Sequence, residues 1–110
     1  GLGDVYKRQG YTGIPGLIAR MNTEDCRSYL DEIWPPEGLD EEMLMTAETF
    51  LNADLNISET ANRLFISRNT LIYRLNRIQK ETGIDLRKFN DASAFHAALM
   101  IRNRLDKNKK

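Results

Sequence analysis

Cysteine, histidine and tryptophan each occur only once among the 110 residues, and this scarcity excludes several kinds of site. A lone Cys26 cannot close a disulfide within the chain, and it suits a reducing compartment. A lone His96, with no cysteine or acidic cluster at ligand spacing, gives no basis for a metal centre. The glycines form no phosphate-binding loop. We therefore expect no metal, no other cofactor and no catalytic residue, and hence no enzyme.

Long apolar runs are also missing. No stretch approaches the ~18 consecutive apolar residues that a membrane-spanning helix needs, and the first residues lack the apolar core of a secretory signal. Hydrophobic residues make up 41% of the chain and charged residues 29%, which is the composition of an ordinary globular domain. We expect a cytoplasmic protein without a membrane partner.

The formal net charge is zero, but the charges are segregated along the chain. Residues 11–54 hold ten acidic and two basic residues, whereas residues 55–89 hold seven basic and three acidic ones. Residues 90–110 add five basic and two acidic residues. A basic segment alone is often a set of solvated helix faces. One that coincides with a nucleic-acid-binding motif indicates contact with a polyanion.

The chain divides into four segments. Residues 1–10 show neither a helical nor a strand period, and we interpret them as a non-native leader joined to a truncated reading frame. Residues 11–39 predict short connecting helices. Residues 40–106 are the predicted helix-turn-helix domain, and residues 107–110 a frayed tail.

Capping residues predict the helix boundaries, and every predicted element is a helix. Short helices are expected over about 15–21 and 23–33, followed by a break at the prolines and glycine of residues 35–38. Asn56 followed by Glu59 has the spacing of a capping box, and Gly83 suits the position after a helix end. The predicted N-caps are Asp40, Asn56, Ser67 and either Asn90 or Asp91. No segment alternates as a strand does, so the predicted fold class is all-α.

The most informative stretch is residues 57–78, which predicts a short helix, a tight break and a second helix over about 68–82. Apolar residues recur in the second helix at i, i+4 and i+7, as in a helix with one buried face. The predicted motif core consists of Ala61, Leu64, Ile66, Leu71, Leu75 and Ile78. The predicted outer face carries Ser67, Arg68, Asn69, Thr70, Tyr73, Arg74 and Arg77. This pattern is typical of a DNA-binding helix-turn-helix whose second helix enters the major groove.

The outer residue types suit the chemistry of a duplex. An arginine such as Arg68 can donate two hydrogen bonds to guanine, and Asn69 can pair with adenine in the same bidentate way. Thr70 suits a phosphate or a thymine methyl group, whereas Arg77 lies further along and suits a phosphate. Taken singly, each arginine could equally be a solvated residue, and Asn69 could bond to the backbone. Tyr73 could pack on a neighbouring helix.

These residues also resemble a known family. The run Ala61-x-x-Leu-Phe-Ile-Ser-Arg-Asn-Thr-Leu-x-Tyr-Arg-Leu-x-x-Ile78, followed by Glu81-Thr-Gly-x-Asp-Leu86, is similar to the C-terminal helix-turn-helix of PucR/CdaR-type regulators of purine catabolism and carbohydrate diacids. The Ile-Ser-Arg-Asn-Thr-Leu core also resembles the Fis-like output domain of nitrogen-regulator activators. The resemblance implies a Fis-like helix-turn-helix and a transcription factor that senses a small metabolite through an N-terminal region. It also implies that residues 11–39 connect the helix-turn-helix domain to a sensor or central region N-terminal to this chain. It also implies DNA contact by Ser67, Arg68, Asn69, Thr70, Tyr73 and Arg74.

Two positions depart from related patterns. Ser67 stands where many members of this family have histidine, so a histidine contact with DNA is lost. Phe65 stands near the position of a glycine in generic helix-turn-helix motifs, which predicts a differently packed turn, although an aromatic residue there suits the family that the chain resembles.

Two functions from different classes fit these observations. The first is sequence-specific binding of double-stranded DNA. Helix-turn-helix proteins commonly bind as homodimers to paired half-sites. The last helix is apolar on more than one face, so it either closes the core or forms a dimer surface. The alternative is a helical protein–protein interaction module that does not bind DNA and uses the acidic half of the chain. A ligand-sensing domain is disfavoured because the chain is too short to hold a pocket as well as the motif.

Overall fold

The computed structural model describes residues 13–108, which form six α-helices and no β-strand. The predicted all-α fold class is confirmed. None of these helices is both long enough and apolar enough to cross a membrane. The predicted leader, residues 1–10, and the last two residues, 109 and 110, lie outside the described residues. The helices are α1 (Gly13–Ala19), α2 (Thr23–Ile33), α3 (Glu41–Asn52), α4 (Ile57–Leu64), α5 (Arg68–Thr82) and α6 (Phe89–Asn108).

The helices group into two compact units. The motif unit, Trp34–His96, contains α3, α4, α5 and the start of α6. Among the described residues, the terminal unit comprises those up to Ile33 and those from Ala97 onward, and contains α1, α2 and the rest of α6. The predicted domain boundary between residues 39 and 40 stays a prediction.

Side-chain caps begin the three helices of the motif. Asp40, Asn56 and Ser67 each accept a hydrogen bond from the backbone N–H three residues further on, at 2.8, 2.8 and 3.1 Å. Each such cap stabilises its helix by about 1 kcal/mol. Only half of the expected capping box forms at Asn56, since the Glu59 carboxylate pairs with Arg63 at 2.6 Å. Local chemistry therefore sets where α3, α4 and α5 start.

The sequence predicts the end of α5 correctly but not the start of α6. Gly83 adopts φ 78° and donates its N–H to the Gln79 carbonyl, as expected of a residue that ends a helix. The predicted cap of the last helix is wrong, because α6 already begins at Phe89. The Asp91 carboxylate instead accepts the backbone N–H of Asp85 at 3.0 Å. The helix continues to Asn108, so residues 107 and 108 of the predicted tail are helical.

The core of the motif unit lies among α3, α4 and α5, which contact one another pairwise. Trp34 stacks on Phe95, with ring centroids 5.5 Å apart, at the edge of this unit. The buried apolar residues include Met43, Ala47, Phe50, Ala61, Leu71, Leu75, Ile78, Leu86 and Phe95. Because α5 is packed on two neighbours, its buried face is held in one orientation, and its opposite face is directed to solvent.

The terminal unit has a smaller core of its own. Ile18, Cys26, Ile101 and Leu105 form a buried cluster. The Arg104 guanidinium donates to the Ile18 carbonyl at 2.5 Å, which satisfies an acceptor near the end of α1. Cys26 is fully buried, in keeping with a small packing residue.

Candidate nucleic-acid interface

The inner face of α5 anchors the helix. Leu71, Leu75 and Ile78 are fully buried, at the spacing that the sequence predicted. Ala61 of α4 is also buried, where its small side chain permits close packing against α5. The remaining two residues of the predicted motif core, Leu64 and Ile66, are half-buried. Because these buried residues fix the rotation of α5 about its axis, the helix presents one defined outer face.

The first turn of α5 is organised by two hydroxyl groups. Ser67 accepts the Thr70 N–H at 3.1 Å, and its own hydroxyl donates to Thr70 Oγ1 at 2.9 Å. Both side chains are exposed. Because a hydroxyl has one hydrogen to donate, the Ser67 hydrogen is already engaged, whereas the Thr70 hydrogen is left to donate to an acceptor outside the domain.

Three exposed side chains follow along the outer face. Arg68 and Asn69 occupy the first two positions of α5, and Tyr73 lies about one turn further and is 65% exposed. Within residues 13–108, neither the guanidinium of Arg68 nor the amide of Asn69 has a side-chain partner. Their hydrogen-bonding groups are therefore available at the N-terminal end of the helix.

Arg74 is used inside the motif unit. Its Nη1 donates to Thr46 Oγ1 at 3.2 Å, and its Nη2 lies 3.4 Å from Glu42 Oε2. The side chain is only 16% exposed. Thr46 is buried and donates its own hydroxyl to the Glu42 carbonyl at 2.8 Å. Arg74 thus joins α5 to α3.

Arg77 makes a second link, from α5 to the residue that caps α3. Its Nη2 lies 3.0 Å from Asp40 Oδ2, and its Nε lies 3.3 Å from Glu81 Oε1. The hydrogen bond to Glu81, followed by the charges of Glu81 and Asp40, raises the pKa of Arg77 above its ordinary value. The side chain is still about two-fifths exposed, at 39%. Arg77 therefore carries a surface charge that two carboxylates already partly balance.

Sequence reasoning missed these partners and the position of the Phe65 ring. Thr46 and Asp40 lie 28 and 37 residues from the arginines that they contact, so no local pattern links them. Phe65 adopts φ 56° and ψ 42°, the left-handed conformation that favours glycine. The backbone of the turn therefore has the conformation that a glycine would adopt, and any difference from a generic helix-turn-helix lies in the side chain. The ring is instead 94% exposed.

The chain is similar to a family of known proteins. Residues 43–101, from α3 to most of α6, match the family described as the PucR C-terminal helix-turn-helix domain. The chain is 32% identical over 78 residues to the purine catabolism regulatory protein of Bacillus subtilis, which covers 67% of this chain and 15% of that protein. It is 52% identical over 42 residues to the carbohydrate diacid regulator of Escherichia coli, which covers 38% of this chain and 11% of that protein.

A solved structure is similar as well. The regulator of polyketide synthase expression from Bifidobacterium adolescentis superposes with a TM-score of 0.64 at 30% identity. The match covers 76% of this chain and 35% of that chain. The chain thus spans well under half the length of each of these relatives. The resemblance carried by the motif is confirmed, and the chain belongs to the PucR C-terminal helix-turn-helix family of transcriptional regulators.

Proposed function

We propose that the motif unit binds double-stranded DNA sequence-specifically, as the output domain of a bacterial transcriptional regulator, with α5 in the major groove. One observation carries the proposal. The helix is anchored by Leu71, Leu75 and Ile78, while Arg68 and Asn69 stand exposed at its N-terminal end. A recognition helix contacts base edges with these first positions.

The exposed residues divide by chemistry. Arg68 is the candidate for guanine and Asn69 for adenine, and each bidentate pair discriminates between bases by about 1–3 kcal/mol. Thr70 has a hydroxyl hydrogen left to donate to a phosphate oxygen. Tyr73, one turn along, reaches the backbone or a base beside them. Ser67 contributes by holding the first turn, because its hydroxyl is engaged with Thr70.

The two later arginines have different parts in this proposal. Arg74 acts as a positioning residue, since it is mostly buried against Thr46 and Glu42. It fixes the rotation of α5 about its axis and thereby the direction of the outer face. Arg77 contacts a phosphate with the exposed part of its guanidinium, at the cost of weakening its pairs with Asp40 and Glu81.

The proposal extends to the assembly. A homodimer on paired half-sites is expected, since a single short helix contacts few bases. The protein acts in the bacterial cytoplasm, where its DNA target lies. Because the chain spans only 15% of the purine catabolism regulatory protein, we assign effector binding to an N-terminal region outside this chain. The Bacillus subtilis and Escherichia coli relatives are named for purine catabolism and for carbohydrate diacids. In this proposal the N-terminal region determines which class of metabolite is bound.

Selection from random duplexes tests the proposal. The chain is incubated with a pool of randomised double-stranded DNA, binding is followed by fluorescence anisotropy across a salt series, and the bound fraction is sequenced. We expect enrichment of a short motif, arranged as an inverted repeat if the bound form is a dimer. Affinity should fall with salt, with a log–log slope of about −0.9 for each phosphate neutralised.

A pair of matched variants localises the contact. The double variant Arg68→Ala with Asn69→Ala should lose the enriched motif. The control, Arg27→Ala with Asn103→Ala, removes the same two residue types from exposed positions of the terminal unit and should retain it. Undetectable or salt-insensitive DNA binding by a folded sample would reject the proposal and favour the protein-interaction module.

A further inference from the structure

The turn between α4 and α5 places a phenylalanine in an unfavourable setting. Phe65 is the C-cap of α4, in the left-handed conformation, and its ring is 94% exposed. L-residues other than Asn and Asp rarely take this conformation, and a solvated phenyl ring gains nothing from folding. Glycine would meet the backbone requirement without either disadvantage.

Backbone hydrogen bonds hold φ of Phe65, so the ring cannot turn inward through a change of this angle. The Phe65 N–H donates to the carbonyls of Ala61 and Asn62, and the Ile66 N–H donates to the Ala61 carbonyl at 3.0 Å. Two residues later the chain must reach Ser67, which caps α5. Bonds on both sides of Phe65 therefore fix the direction in which its Cβ leaves the turn. A strained residue held this firmly is an indication of function.

The surroundings of the ring indicate what it contacts. Its Cα lies within about 7 Å of that of Ser67, given the reach of two residues. The exposed residues on either side along the chain are polar or cationic: Asn62, Arg63, Ser67, Arg68 and Asn69. A protein partner would call for a contiguous apolar patch around the ring. A duplex offers phosphates for the cations together with apolar thymine methyl groups and deoxyribose faces.

We propose that Phe65 is a DNA-contacting residue, whose ring packs against the apolar edge of the duplex beside the bases that face α5. The proposal rests on the proposed function, because it requires the N-terminal end of α5 to lie against DNA. It adds an apolar contact beside the hydrogen-bonding groups of Arg68 and Asn69. It also explains why a residue with a large ring occupies a position whose backbone favours glycine.

The test uses Phe65→Gly, which removes the ring and suits the left-handed turn. Its thermal unfolding midpoint should equal or exceed that of the wild-type chain. Its affinity for the duplex enriched by the wild-type chain should be roughly tenfold lower, the size expected when one face of a ring is no longer kept from water. Phe89→Ala is the matched control, because it removes another exposed ring, at the start of α6, and should leave affinity unchanged.

Two further measurements identify the contact. The salt slope of Phe65→Gly should match that of the wild-type chain, since no phosphate contact is lost. Replacing each thymine of the duplex by uracil should weaken wild-type binding at one position and leave Phe65→Gly indifferent there, if the ring packs on a methyl group. Indifference at every thymine, with the tenfold loss retained, assigns the contact to deoxyribose.

Other outcomes overturn the proposal. If Phe65→Gly binds the duplex as tightly as the wild-type chain, the ring does not contact DNA, while the proposed function stands. If the variant keeps its affinity for DNA but loses self-association, the ring belongs to a protein interface. If the wild-type chain itself binds no duplex, the proposed function fails, and this proposal fails with it.

Discussion

Arg77 and Asp40 form an ion pair in which one oxygen of the carboxylate serves a second purpose. Arg77 Nη2 lies 3.0 Å from Asp40 Oδ2, while Asp40 Oδ1 accepts the Met43 N–H at 2.8 Å. The residue that caps α3 thus also balances a charge on the outer face of α5. An acidic group so placed opposes the approach of a polyanion.

Asp40→Asn should separate these two tasks. Asparagine caps a helix about as well as aspartate, so the unfolding midpoint should change little. Arg77 would lose one of its two carboxylate partners, and one negative charge would leave the outer face. We expect tighter DNA binding, with a salt slope steeper by up to about 0.9.

The matched control for this change is Asp31→Asn, which removes an exposed carboxylate from α2. Equal effects of the two substitutions on DNA affinity would show that only net charge matters and that the pair with Arg77 has no specific role. Asp40→Ala should additionally lower stability by about 1 kcal/mol through loss of the cap.

Alanine substitution should affect folding stability at Arg74 and DNA binding at Arg68. Arg74→Ala breaks the links to Thr46 and Glu42, and the free energy of unfolding should fall by roughly 1 kcal/mol. Arg68→Ala removes an exposed side chain and should change stability by less than about 0.5 kcal/mol. Its effect should lie in DNA affinity and in base preference at one position. Urea unfolding and anisotropy titration of both variants make the comparison, and the assignment fails if Arg74→Ala unfolds like the wild-type chain.

The cap at Ser67 provides a test that separates folding from binding. Ser67→Ala should destabilise α5 by about 1 kcal/mol, because the Thr70 N–H loses its acceptor. Ser67→Asp should keep the cap and favour the helix dipole, yet place a negative charge against DNA. We expect normal unfolding and weakened DNA binding for Ser67→Asp. Ser28→Asp, at an exposed position of α2, controls for the added charge. Unimpaired binding by Ser67→Asp would place the DNA elsewhere.

Stability should depend on pH through Asp85. Its Oδ1 accepts from Arg87 Nε at 2.9 Å and from the Arg87 N–H at 3.1 Å. The side-chain hydrogen bond from Arg87 is the main reason that the pKa of Asp85 lies below its ordinary value. Because the folded-state pKa is the lower one, the resulting stability is present at neutral pH. It is lost as the pH falls through the unfolded and then the folded pKa, below about pH 4.

Asp85→Asn should therefore reduce the acid sensitivity of unfolding. Denaturation of the variant and the wild-type chain, measured at steps from pH 7 to pH 2, should show the gap between them narrowing at the acid end. A gap that stays constant over this range would mean that the carboxylate of Asp85 does not contribute through its charge.

The sequence determined those features whose causes lie within a few residues of one another. The caps at Asp40, Asn56 and Ser67 and the end of α5 at Gly83 follow from the bonding of one side chain or one backbone conformation to its own turn. The spacing of Leu71, Leu75 and Ile78 gave the buried face of α5 for the same reason, since a helix repeats every 3.6 residues. The all-α class and the family resemblance rest on these local signals.

The tertiary structure decided which of the outward residues remain available. Arg74 and Arg77 have the same residue type as Arg68, yet their partners on and before α3 are distant in sequence and meet them only because the helices pack together. The start of α6 at Phe89 also departs from the local pattern, since Asp91 lies inside the helix and its Oδ2 accepts the Asp85 N–H. Periodicity indicates the direction of a side chain, whereas only packing decides what it meets there.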